Sequence, residues 1–197
     1  METKEEKNFR VFAEDAENRR FIADVSADQK GNFIIEGLNA GNYILHLKSA
    51  DNLISAVQEI GKVEVINGKT AIINKKVKIK ENNFRLQFAG FNGQIANLAV
   101  PLNAGKSYTL YVAGQNLDAG NFDISFNSPF IKINPQSYVE HDYGSEISVI
   151  SFEAVIEPNV PKGDYSISFR DKNGNTDYLV GAVSIEEMKN PWFSYIF

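Results

Sequence analysis

Asp171-x-Asn173-x-Asn175-x-Asp177 sets an oxygen-bearing side chain at every second position, the spacing at which a loop wraps a calcium ion. Such a loop also needs a glutamate downstream and a glycine at its sharp bend. Ala182 stands where that glutamate would fall, and Gly174 is out of register with the bend. A hairpin turn accounts for the same residues, because Asn173-Gly174 suits the positive φ angles of a tight turn. The four residues are a weak calcium candidate set against a turn. Glu140-His141-Asp142 offers an imidazole and two carboxylates, but neighbours on an extended chain point in opposite directions and make a poor metal set.

Other chemistry is scarce. The chain has no cysteine, which excludes disulfides, thiolate metal sites and cysteine nucleophiles. Histidine occurs twice, and His46 is expected on the polar, solvated face of its strand. No base stands beside a serine or threonine in a recognisable catalytic set. Gly37–Gly41 leads into a strand and not a helix, so no phosphate-cradling loop is present. Glu14-Asp15 and Glu186-Glu187 read as surface charge. The expectation is a protein with no catalytic residues and no cofactor.

The tail Asn190-Pro-Trp-Phe-Ser-Tyr-Ile-Phe197 carries the one tryptophan of the chain, with Phe193, Tyr195 and Phe197 alternating up to the last residue. It reads either as a final strand packed on its own domain or as a docking segment. In the second case Trp192, Phe193, Tyr195 and Phe197 meet a partner chain or a membrane interface. An exposed apolar tail is a liability, which favours its being covered.

The elements that position these residues are strands. Among 197 residues there are 14 Phe and 8 Tyr but 2 Met, a composition suited to sheets. Strand patterns fall at about 9–13, 20–27, 32–35, 42–48, 63–66 and 70–79, while 52–60 fits either a short helix or a strand. Ile73, Val77 and Ile79 share one face of the 70–79 run, with Lys76, Lys78 and Lys80 on the other, an arrangement that discourages edge pairing. Further patterns fall at about 84–88, 95–99, 107–113, 121–126, 131–134, 147–156, 164–170 and 176–185, separated by Gly and Pro. The fold class is all-β, with two consecutive sandwiches: a charged segment at 1–8, sandwiches at 9–81 and 84–187, and the aromatic tail at 188–197. Gly41-Asn-Tyr43 and Gly163-Asp-Tyr165 echo one another across the halves.

The net charge of −5 argues against nucleic acid, whose phosphates demand a basic face. Residues 1–8 lack the apolar stretch of a secretory signal, and no run approaches the roughly 18 apolar residues of a membrane span.

Asp28…Gly31-Asn32-Phe33…Gly37-Leu38…Gly41-Asn42-Tyr43-Ile44-Leu45 resembles the carboxypeptidase regulatory-like domains, sandwiches of the prealbumin and Cna-B type, over roughly 9–80. Asn39 stands where that family often has proline. Its usual first strand and Gly-x-Pro turn are missing before Phe9, which implies a trimmed domain or an edge supplied by a neighbouring chain. Residues 84–185 more loosely resemble bacterial immunoglobulin-like modules of the IPT/TIG kind, on Tyr108-Thr-Leu-Tyr-Val-Ala-Gly-Gln-Asn-Leu117 and Pro161-Lys-Gly-Asp-Tyr165.

These resemblances imply an extracytoplasmic location (periplasm, cell surface or secreted), with a leader or upstream region absent from this chain. They imply a non-catalytic structural or interaction module of a bacterial envelope or extracellular assembly. As a two-sandwich spacer it would dock to protein partners, or to itself, through edge strands and the aromatic tail. The alternatives are a carbohydrate-binding module, with Phe12, Tyr111 and Tyr143 as outward-facing glycan platforms, and an accessory domain of a larger secreted enzyme.

Overall fold

The computed structural model describes residues 8–49, 57–78, 82–91, 94–96, 99–144 and 147–186. Within them the chain is all-β, and one 3₁₀ turn at Ala119–Asn121 is the helical element. The aromatic tail expected at 188–197, with Trp192, Phe193, Tyr195 and Phe197, lies outside the described residues.

The N-terminal half forms one antiparallel sheet from β1 (Phe9–Asp15), β2 (Phe21–Ser26), β3 (Gly41–Ser49) and β4 (Gln58–Val65), in the order β2-β1-β3-β4. β1 is thus an internal strand, paired on both sides. β4 settles the ambiguity over 52–60 for its described part: Ile60 is a buried strand residue. Alternation sends Val11, Ala13, Tyr43 and Leu45 to one face, where Ile60 joins them in a core. Phe33, Ile35, Leu38, Ile73 and Val77 pack over that core from outside the sheet.

The strands expected at 32–35 and 70–79 do not form; the described parts of both segments are irregular. Lys76 and Lys78 still face solvent while Ile73 and Val77 turn inward, so the alternation holds without a strand. Alternation selects faces, however, and does not supply a neighbouring strand to complete a ladder. Ile79 and Lys80 lie outside the described residues.

The C-terminal half stacks two sheets. Their strands are β5 (Arg85–Phe91), β6 (Gln94–Ala96), β7 (Val100–Leu102), β8 (Ser107–Gln115), β9 (Phe122–Phe126), β10 (Ile131–His141), β11 (Ser148–Ile156), β12 (Gly163–Asp171) and β13 (Thr176–Ile185). The orders are β10-β11-β8-β5-β6 and β7-β13-β12-β9. Phe84, Leu110, Ile150, Phe152, Ile167 and Phe169 fill the space between them. Each such side chain contributes roughly 1.5–3 kcal/mol by leaving water.

Two prolines read as breakers sit inside strands. Pro101 lies in β7, an edge strand, and Pro135 lies in β10, another edge, where the pairing with β11 is interrupted between Asn134 and Val139. Proline is tolerated at those places because an edge or a bulge leaves no ladder donor to lose. β7 pairs parallel to β13, which no local pattern could have indicated.

Gly114 on β8 faces a register shift in β5 between Leu86 and Phe88. A Cβ there would stand 1.9 Å from the Arg85 carbonyl oxygen. Backbone cannot swing aside as a side chain can, so Gly114→Ala is expected to cost about 1–3 kcal/mol in the C-terminal half. Urea denaturation followed by circular dichroism checks this. An unchanged midpoint would show that β5 and β8 have room to part.

Candidate functional site

The middle of the N-terminal sheet's face opposite its core is covered, while Arg10, Asp24, Lys62 and Glu64 at its margins are exposed. β1 places Phe12 and Glu14 there, and β3 places Ile44, His46 and Lys48, with Phe12 paired to His46 and Glu14 to Ile44 across the strands. A bulge in the β1–β2 pairing at Ala13/Glu14 brings Phe21 opposite Glu14. Apolar and ionisable side chains therefore alternate on one surface. His46 is 5 % exposed and Glu14 2 %. The expected solvated histidine is buried, because its strand is covered on both faces.

β13 covers this surface. The Tyr178 ring packs against Phe21 at 5.3 Å and against His46 at 5.8 Å, while Phe21 meets Phe12 edge-on at 5.9 Å. Glu14 accepts from His46 Nε2 at 2.5 Å and from Arg19 Nε. Burial, and after it the Glu14 carboxylate, pushes the Tyr178 hydroxyl above its ordinary pKa.

The strongest tie is ionic. Lys48 Nζ lies 2.7 Å from Asp177 Oδ1 and donates to the Tyr178 carbonyl at 2.9 Å. Asp177, 1 % exposed, also accepts the Leu86 amide on Oδ2 at 2.7 Å and the Tyr178 amide on Oδ1 at 2.9 Å. One carboxylate thus joins β3, β13 and β5. A backbone bond from Val57 to Thr176 continues the seam.

The β1–β2 loop makes the second half of the junction. Asp15 Oδ1 accepts the amides of Glu17 and Asn18, and Asn18 Oδ1 accepts that of Arg20. These bonds hold Arg19 at φ 61°, a left-handed conformation costly for a residue with a Cβ. The carbonyl of Arg19 then accepts from Asn127 Nδ2 at 2.7 Å, and Asn127 Oδ1 accepts the Ser166 amide on β12. Arg20 lies over the Tyr165 ring at 5.3 Å and fills the space a Cβ on Gly163 would need.

Of the candidates proposed from sequence, Asp171, Asn173, Asn175 and Asp177 are not brought to a common point. Asp171 Oδ1 accepts the amides of Asn173 and Asn175, and Oδ2 accepts Asn175 Nδ2. Its oxygens serve the turn, and those of Asp177 serve Lys48 and Leu86. Asp28-x-x-Gly31-Asn32 makes the same set of bonds. Glu140, His141 and Asp142 likewise diverge, to the Ala119 amide, Ser151 Oγ and the Gly144 amide respectively.

Among the proposed glycan platforms, Phe12 is 6 % exposed and belongs to the junction, not to an outer face. Tyr111 and Tyr143 do come together, through His141. The His141 ring is 5.4 Å from Tyr111, and 6.0 Å from Tyr143 at an interplanar angle of 13°. The junction itself escaped sequence reading. Its signal was the pair Phe12-x-Glu14 and Ile44-x-His46-x-Lys48, where apolar residues stand on what otherwise reads as a polar face.

Removing Asp177 leaves the Lys48 ammonium, largely out of water, without a counter-ion. Asp177→Ala is expected to cost about 3–5 kcal/mol and to raise hydrogen exchange at the Leu86 amide. Unchanged exchange there would mean the carboxylate holds nothing. In the Asp171 turn, burial pushes the carboxyl up, but hydrogen bonds from Asn175 and Asn173 outweigh it and hold the pKa below the usual value. A depressed carboxyl adds stability above its unfolded pKa and loses it as pH falls through the folded one. Carboxyl NMR titration of Asn175→Ala should therefore show Asp171 moving up, and the turn loosening at a higher pH than in the parent.

No protein-family model and no curated protein matches the chain. Among solved structures, it is similar to a chain of a type I cohesin–dockerin complex from Clostridium thermocellum at 13% identity and TM-score 0.23, covering 53% of this chain and 96% of that one. It is also similar to the SGBP-B protein of a Bacteroides ovatus mixed-linkage glucan utilization locus, solved with a mixed-linkage heptasaccharide, at 15% identity and TM-score 0.28. That match covers 93% of this chain, which spans 38% of the other's length. At these scores the likeness is too slight to draw on.

Proposed function

We propose that the chain is a non-catalytic interaction module in which two β units are locked into one arm that presents sheet faces, edges and the aromatic tail to partner chains. The observation that carries this reading is the Lys48–Asp177–Leu86 tie, which commits buried charge to the contact between the units. Ionisable groups at this seam are spent on holding the units together. No described cluster of three or more His, Asp or Glu residues is placed to hold a metal ion. The arm fits a bacterial envelope or extracellular assembly outside the cytoplasm. Support for that placement is the resemblance of 9–80 and 84–185 to modules of such assemblies, together with a sequence that has no thiol to oxidise. No described helix is long and apolar enough to cross a membrane.

A second reading is carbohydrate recognition on the outer face of the five-stranded sheet. It is favoured by the row Tyr111, His141 and Tyr143, whose rings offer π-faces of the kind on which sugars stack.

The absence of native cysteine allows spin labels to be placed cleanly at Lys30→Cys and Gln136→Cys, one in each half. The arm reading expects a single narrow distance distribution, broadened by Asp177→Ala. It also expects the full chain to associate with itself or a partner in sedimentation, and a chain ending at Glu186 to do so less. A broad distribution in the parent protein, or strictly monomeric behaviour of both chains without any partner, overturns it.

A further inference from the structure

Between the β1–β2 loop and the outer face of β9, β12 and β13 runs a cleft of about 790 Å³. Small-molecule sites are commonly about 300–1,000 Å³ and favour the contact between two units. On its floor the hydroxyls of Ser125 and Ser168 lie 2.8 Å apart, and Asp123 pairs directly across the strands with Arg170. Arg20 comes from the opposite wall.

The charges around the cleft are unevenly used. Arg19 is spent on Glu14. Arg20 lies over the Tyr165 ring and against Gly163, yet neither it nor Arg170 makes an ion pair among the described residues. Asp123 stands across from Arg170 and Glu17 also lines the cleft, but the two guanidinium forks are in no ion pair, and such forks recognise carboxylates. Arg20 is already oriented, so little side-chain freedom remains to be lost on binding. Asp123 narrows the ligand class. It can only accept hydrogen bonds, so it opposes a ligand made of acceptors alone, such as phosphate or sulfate. Ser125 and Ser168 can donate or accept. The set asks for one molecule that carries both carboxylates and hydroxyl donors.

We propose that this cleft binds an acidic oligosaccharide, its uronic carboxylates on Arg20 and Arg170 and its ring hydroxyls on Asp123, Ser125 and Ser168. The cleft exists only while the junction is closed, so the site rests on the locked-arm reading. It is separate from the Tyr111–Tyr143 face, which lies on the other sheet.

The test is an NMR titration of the isotope-labelled full chain with trigalacturonate at physiological salt, with cellotriose and inorganic phosphate as separate arms. Saturable shifts are expected at the Ser125, Ser168 and Arg20 amides with trigalacturonate alone. Arg170 is exposed on its strand, so Arg170→Ala should keep the fold and weaken binding about tenfold or more, the loss of a charge-assisted pair. Equal response to cellotriose overturns the proposal. So does equal response to phosphate, which would mark an adventitious ion only. Unchanged affinity in folded Arg170→Ala overturns it as well. Silence toward trigalacturonate in a protein with a narrow label distance sinks the site and leaves the arm standing, whereas silence with a broad distance sinks both.

Discussion

An ammonium group withdrawn from water must find a carboxylate, and Lys48 finds Asp177 from the other half of the chain. The rest of the arrangement follows from that need. Asp177 must be out of water to hold Lys48 firmly, and its second oxygen must then be satisfied, which the Leu86 amide does. With β3, β13 and β5 fixed to one carboxylate, Tyr178 is set over Phe21 and His46, and the middle of the N-terminal sheet's second face is covered. A buried ion pair is a poor source of net stability, since desolvation offsets much of its attraction. Its value here is positional: a purely apolar seam would let the units slide, while a charge pair tolerates one register.

Much of the fold was legible because strands announce themselves by period. The patterns at 42–48, 147–156 and 164–170 fall almost wholly in strands, and Asn173-Gly174 falls in a turn, though of the two only Gly174 takes a positive φ. Failures came where a feature depends on a distant partner. Residues 32–35 and 70–78 alternate, but no strand among the described residues pairs with them. Pro135 breaks a strand only in isolation; beside β11 it sits in a bulge. His46 and Phe12 were misjudged for a common reason, that a half-polar strand face reads as solvated until the element covering it is known. Asp177 was singled out for its oxygens, and those oxygens do bind a cation, but the cation is Lys48.

Some local devices recur. Tyr43 donates its hydroxyl to the carbonyl of Asn39, and Tyr165 to that of Pro161, each four residues back. Asp28–Asn32 and Asp171–Asn175 form the same turn with glycine at φ 83° and 82°. Their order differs between the halves: the Asp turn precedes the tyrosine in the first and follows it in the second. Duplication of one ancestral unit would preserve that order. Reuse of the same solutions to the same turning problem accounts for it directly.

The tie between β3 and β13 joins residues 130 apart in a chain of 197. During synthesis from the N-terminus, the first sheet emerges with Glu14, His46 and Lys48 on a face made for covering. Asp177 and Tyr178 are added some 130 residues later, the separation of Lys48 from Tyr178. Until then water must stand in for β13, and the first half waits as an unfinished surface. Covering of the first sheet is thus timed by β13, which acts on the first half much as a late-arriving subunit acts on a preformed one.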